Sequence, residues 1–263
     1  MTLIRELTDY LEKIAPLSVQ EAYDNSGLLV GNSNWTIKGV LVALDVTEGI
    51  IDEAIEIGCN LVVSHHPVIF RGMKRISDQN HLDRGIIKAI KNDIALYAIH
   101  TNLDNILFHG VNEKIALKLG LSRIKILKPK SITDPAIGSG LIGYLPEKLM
   151  INEFLFHVKQ TLKTNTIKYT KSNKEEIYKI ALCGGSGSFL MSEAIVQEAD
   201  AFISADFKYH DFFEGNEQTI ILDIGHFESE QHTIELIFDL ISKKFTNFAS
   251  HCTKIITNPV QYF

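Results

Sequence analysis

The chain reads as an α/β protein, and three features of its 263 residues say so. Short apolar runs bounded by turn residues alternate with segments whose apolar positions recur at helical spacing. The alternation resumes with its own rhythm after residues 128–140, where KPKSITDPAIGSG holds two prolines, two glycines and no periodicity, as a linker would. Histidines and carboxylates crowd directly behind the apolar runs, where an open α/β sheet gathers its binding loops.

In chain order, residues 2–14 form a helix with Leu3, Leu7, Tyr10, Leu11 and Ile14 on one face and Pro16 as its stop. Residues 28–30 are a short apolar run between Gly27 and Gly31, and 40–46 (VLVALDV) a stronger buried strand. Thr47 reads as the N-cap of a helix that Gly58 closes, and 61–64 (LVVS) as the next strand. Strand, helix and strand in succession favour parallel pairing. The pattern repeats with a helix over 81–92, a strand over 94–99, a helix over 110–119 and a strand over 124–127. Beyond the linker come a strand over 141–145, a helix over 151–162 and strands over 166–170 and 177–183. A helix over 189–198 and a strand over 201–204 follow, then a strand over 219–224 that leads to His226. A long helix over 228–243 and a last strand around 254–256 complete the reading.

With 45% apolar and 22% charged residues, the chain has the makeup of a globular protein able to bury a core. Its net charge is −6, and its lysines cluster only modestly over 159–179. The absence of a basic arm or stripe argues against sequence-independent nucleic-acid binding. A protein of this charge that handles an anionic substrate must build a local positive site, and metal ions are one way to do so. Cys59, Cys183 and Cys252 show no C-x-x-C spacing and read as thiols of a reducing compartment. The amphipathic, charged N-terminus lacks the apolar core of a signal peptide, and no stretch has the length of a membrane span. The expectation is a soluble cytoplasmic protein without a membrane partner.

Three clusters carry the chemistry: Ser64-His65-His66-Pro67 behind LVV, His100-Thr101-Asn102-Leu103-Asp104 behind ALYAI, and the stretch from His226 to Glu230 behind IILDI. Adjacent residues on a strand point to opposite faces, so His65 and His66 suit two different ions once the chain leaves the strand. Pro67 restricts His66 to extended geometry. The pair also reads as one buried and one surface histidine. Asp104 falls in a loop where its oxygens can face inward, and Asp with His suits zinc, manganese or iron. The same segment also reads as capping and turn chemistry. His226 and Glu230 share one face of a helix start, and a glutamate there can bridge two metals; a solvated helix face has the same spacing. Jointly, His65, His66, Asp104, His226 and Glu230 form a ligand set for two divalent cations about 3.5–4 Å apart, with an activated water between them.

Weaker candidates surround this set. His100 is either a base or proton shuttle or a structural hydrogen-bonding group, and His210 is a candidate general acid. Asp206 and Lys208, with His210, follow a strand end and are candidates for substrate contact. Gly184-Gly185-Ser186-Gly187 links a strand to a helix and reads equally as a phosphate cradle or a tight turn, without the Walker ending. Asp45 either caps a helix or orients a metal-bound histidine.

The ordered motifs Asp24-Asn25-Ser26-Gly27-Leu28, Ala43-Leu44-Asp45-Val46-Thr47, Ser64-His65-His66-Pro67-Val68-Ile69-Phe70, His100-Thr101-Asn102-Leu103-Asp104, Cys183-Gly184-Gly185-Ser186-Gly187 and Gly225-His226-Phe227 with Glu230 resemble the Nif-three-like family, the GTP cyclohydrolase 1 type 2 homologues. The resemblance covers nearly the whole chain. It implies two divalent cations per subunit, zinc, iron or manganese: His66 and Asp104 on one, His65 and His226 on the other, Glu230 bridging. It implies a homohexameric ring with its metal sites facing an interior cavity. It also implies a two-domain α/β fold, residues 1–128 plus 222–263 forming the metal-binding domain and 129–221 an inserted second domain. The activity it suggests is metal-dependent hydrolysis of a small molecule, a nucleotide in the family's name: opening of the guanine ring of GTP with release of formate. The alternative is a non-catalytic metal-binding scaffold or regulatory interaction protein. Many relatives carry Thr-Gly-Asp where this chain has Ser204-Ala205-Asp206, so a close backbone approach at residue 205 is not expected to survive.

Overall fold

The computed structural model describes residues 1–263. The chain begins with α1 (Ile4–Ile14), β1 (Gly27–Val30), β2 (Gly39–Ala43), α2 (Glu48–Glu56) and β3 (Leu61–Ser64). It continues with α3 (His81–Lys91), β4 (Ala95–Ala98), α4 (Thr101–Asp104) and α5 (Val111–Lys118). Next come β5 (Ser122–Pro129), β6 (Gly138–Met150), α6 (Ile151–Leu162), β7 (Lys168–Tyr169) and β8 (Glu176–Ser186). The last third holds α7 (Met191–Val196), β9 (Ala201–Ala205), β10 (Ile220–Asp223), α8 (His226–Glu230), α9 (His232–Lys244) and β11 (Ala249–Cys252). No helix is long and apolar enough to cross a membrane.

Two compact units result, one of Met1–Leu103 with Thr233–Pro259 and one of Asp104–His232 with Val260–Phe263. The first unit is thus interrupted by the second, but the boundaries are not those expected at 128 and 222. Strand pairing sets them. β5 pairs with β6, and β10 with β9, so both belong to the second sheet. The proline- and glycine-bearing stretch expected as a domain linker instead joins two neighbouring strands, with Pro129 opposite Gly138.

Unit 1 is built on a sheet in the order β1-β4-β3-β2-β11. β11, β2, β3 and β4 run parallel, as the strand–helix–strand rhythm requires, and β1 closes the edge antiparallel. The register Ala43–Ser64–Ala98 brings three parallel strands to an end together, so the residues after them emerge at one edge. One face buries Leu41, Val62 and Leu96 against Ile50, Ile51 and Ala54 of α2 and Ile86 and Ala89 of α3. On α1, Ile4, Leu7 and Leu11 are buried, and Tyr97 of β4 donates its hydroxyl to Glu12 at 3.4 Å. The strand expected around 254–256 is in fact β11, which pairs with β2 from Ala249 to Cys252.

Unit 2 carries a mixed sheet in the order β5-β6-β8-β9-β10-β7, with β8, β9 and β10 parallel. Leu127, Ile142, Ala181, Phe202 and Ile221 pack with Leu190, Met191 and Ala194 in its core. α6 buries Phe154, Val158 and Leu162, spaced four apart, each contributing about 1.5–3 kcal/mol. The helix expected over 228–243 breaks at Gln231 into α8 and α9.

Thr47 caps α2 as its sequence position suggests, its Oγ1 accepting from Ile50 N at 3.3 Å. Replacing it with alanine removes that acceptor, and urea unfolding should show a loss of about 1 kcal/mol.

Candidate metal centre

β3 ends at Ser64, and the chain leaves it with both following amides still bonded to the end of β2 and the residue after it: His65 N to Ala43 O at 3.2 Å and His66 N to Leu44 O at 2.9 Å. The two rings lie 5.0 Å apart by their centroids, and each is 5.1–5.2 Å from the His100 ring. One ligand atom from each of the three lies within 4.8 Å of the other two. Each ring is held through its Nδ1. His65 Nδ1 donates to Ile99 O at 2.9 Å, His66 Nδ1 to Asp45 Oδ1 at 2.7 Å and His100 Nδ1 to Asp24 Oδ1 at 2.7 Å. An imidazole anchored as a donor at Nδ1 offers Nε2 as its Lewis base, which is how metal-binding histidines are oriented.

The anchors are themselves braced. Asp24 sits just before β1. Its Oδ2 accepts from the Thr101 amide at 3.0 Å and from the Thr101 hydroxyl. Burial works to raise the Asp24 carboxyl, but the hydrogen bonds and charge of His100 and the bond from Thr101 hold it far below the usual carboxylate range. Asn102, fully buried on α4, accepts from His100 N at 3.0 Å and donates to Ala15 O at 2.7 Å. His100 thus stands in the histidine group rather than apart from it.

Unit 2 supplies a histidine–carboxylate pair. Glu230, 3% exposed, meets His226 Nε2 at 3.0 Å through Oε2, and His226 Nδ1 donates to Asp206 Oδ2 at 2.6 Å. Desolvation opposes a charge on His226, but the two carboxylates outweigh it and raise the imidazole to about 9. Asp104 closes α4 at the head of this unit, and its carbonyl accepts from Asn112 Nδ2 at 3.0 Å.

Three of the weaker candidates lie as follows. Gly184 and Gly185 lie within β8, and their amides donate to Asn112 Oδ1 and Ser229 Oγ at 2.8 Å each. Their role is to make room. Gly185 has φ +62°, and a Cβ there would collide with Glu230 Oε1 and lie 3.3 Å from His226 Cε1. Asp206 anchors His226 and carries φ +59° itself, while Ala205 completes β9. His210 lies in a short 3-10 helix among aromatic neighbours, 5.3 Å from the Tyr209 ring and 6.3 Å from that of Phe213. A surface recess of about 690 Å³ lies at the N-terminal ends of β9 and β10, lined by Lys174, Asp200 and Glu217 among others, and holds none of the ligand candidates. Sequence reasoning missed Asn112 and Ser229 as supporting residues, and it met Asp24 only as the first residue of the motif over 24–28, without a role.

The fold and these side chains define a two-unit α/β protein with histidine and carboxylate groups able to hold metal ions. The comparisons agree on the fold. The Duf34/NIF3 (NGG1p interacting factor 3) family model matches residues 2–259, and the chain belongs to that family. A "GTP cyclohydrolase 1 type 2 homolog" of Clostridium perfringens is 37% identical over 86% of each chain. One of Campylobacter jejuni is 31% identical over 99% of each. Staphylococcus aureus protein SA1388 matches at TM-score 0.90 with 28% identity, over 100% of this chain and 99% of that one. A Bacillus cereus protein related to NIF3 shares the fold at TM-score 0.91.

Two outcomes follow from the Glu230–His226 pair. Gly185→Ala should leave the protein folded while displacing Glu230, lowering zinc affinity roughly 10- to 100-fold in a chelator competition. In the metal-free protein, His226 holds its proton more tightly folded than unfolded. That stabilisation is complete below about pH 6.5 and lost as pH rises through about 9. Urea midpoints of the metal-free protein should therefore fall across this window, and His226→Gln should flatten the fall.

Proposed function

We propose that this chain is a metal-dependent hydrolase in which His65, His66, Asp104, His226 and Glu230 hold two divalent cations. The observation that carries the reading is the anchoring of His65, His66, His100 and His226 through Nδ1 to an oxygen acceptor. Evenly solvated histidines have no need of such tethers. Imidazoles set with carboxylates suit zinc, iron or manganese. The cations, when bound, supply Lewis acidity and lower the pKa of coordinated water. The protein's own groups do the rest: Asp24 and Asp45 fix ring orientation, and we assign His100 the role of moving a proton.

The substrate is a small molecule with a flat ring, a nucleotide on the strength of the relatives' cyclohydrolase name. Tyr23 and Phe70 support this. Both are exposed, their ring centroids are 6.1 Å apart, and Phe70 meets His100 edge-on at 6.0 Å. An aromatic pair beside the histidines offers a stacking surface for a heterocycle. The assembly we infer is the hexamer the family resemblance implies.

The test is a metal assay followed by hydrolysis screens on GTP, other nucleotides, cyclic amides and phosphoesters, run on wild type and Glu230→Ala. Metal and turnover should be lost together in the variant. Two tightly held cations with no turnover on any class would instead favour a metal-binding interaction protein, in keeping with the family's "interacting factor" description.

A further inference from the structure

The tail after β11 has no regular secondary structure, yet it is tied down by a series of hydrogen bonds. Thr253 N donates to Val42 O at 2.9 Å, Lys254 N donates to Glu53 Oε1 at 2.9 Å, and the Thr253 hydroxyl bonds the same glutamate. Further on, the Thr257 hydroxyl donates to Asp45 Oδ2. The other oxygen of that carboxylate, Oδ1, accepts from His66 Nδ1 at 2.7 Å. One carboxylate therefore joins the tail to a candidate metal ligand, and none of the three residues is adjacent to another in sequence.

We propose that Thr257 is a positioning residue for the metal centre, acting through Asp45 on the His66 ring. The inference rests on the metal-binding reading above. An aspartate whose second oxygen is unbraced can turn about its own side-chain torsions, and Asp45 is about one-third exposed, at 35%. The hydroxyl of Thr257 fixes that second oxygen. The plane of the carboxylate is then set, and with it the direction of the His66 Nδ1–H bond and the aim of Nε2. Residues that orient a ligand in this way commonly change metal affinity about 10- to 100-fold when removed. Thr257 is not one of the candidate ligands, and its effect should be read as ligand geometry.

The experiment uses the full chain with Thr257→Val, which keeps shape and removes the hydroxyl, Thr257→Ser, which keeps the hydroxyl, and His66→Ala as a reference. Zinc affinity is measured by chelator competition, ligand geometry by the visible absorption of the cobalt(II)-loaded protein, and fold by the melting temperature without metal. Thr257→Val should lose about 10- to 100-fold in zinc affinity and alter the cobalt spectrum at an unchanged metal-free melting temperature. Thr257→Ser should restore both. Wild-type affinity and spectrum in Thr257→Val, alongside metal loss in His66→Ala, would overturn the role of Thr257 and leave the metal reading standing. Wild-type affinity in His66→Ala would overturn both. A loss in Thr257→Val that follows a lowered melting temperature and is not rescued by serine would reduce the residue to a structural contact.

Discussion

The arrangement depends on one constraint of imidazole chemistry. A neutral ring has one nitrogen that donates and one that accepts, and whichever is fixed decides what the other can do. Here His65, His66, His100 and His226 each give their Nδ1 hydrogen to an oxygen: the carbonyl of Ile99 and the carboxylates of Asp45, Asp24 and Asp206. Much of the local structure can be read as support for those acceptors. Thr101 serves Asp24, Thr257 serves Asp45, and the left-handed backbone of Asp206 turns its carboxylate to His226.

The sheet makes the constraint attainable. β2, β3 and β4 are parallel and in register at their ends, so segments far apart in sequence leave the sheet side by side. Asp45, the His65–His66 pair and His100 are the first polar groups past those ends. In unit 2 the parallel run of β8, β9 and β10 does the same for Gly185, Asp206 and the turn into α8. Small residues matter there, because Glu230 is buried against the backbone of β8.

Much of this was legible in the sequence where the information is local. The strand 61–64 and the helix 151–162 fall at the residues the apolar spacing indicates. Thr47 is the cap it resembles. The ligand candidates stand out because they follow strands. What pairing decides was hidden. The tail strand forms over Ala249–Cys252, which is mostly polar or exposed, and the more apolar 254–256 is left outside, because β2 offers its edge there. The linker-like stretch became a strand connection for the same reason. The supporting residues Ser229 and Thr257 were hidden too, since a short polar side chain far along the chain carries no periodic signal. Gly185 was noticed for its backbone, whereas what matters is the side chain it does not have.

The first unit is completed by a strand that arrives late. β11 lies beside β2, and everything from Asp104 to His232 is synthesised before it. Until then β2, whose five residues are all buried in the finished protein, is an open, sticky border of the nascent sheet. A chain cut short within the second unit therefore leaves that border open to pair with its neighbours. The cell's quality-control machinery would meet that chain as a template for aggregation, in place of a smaller working protein.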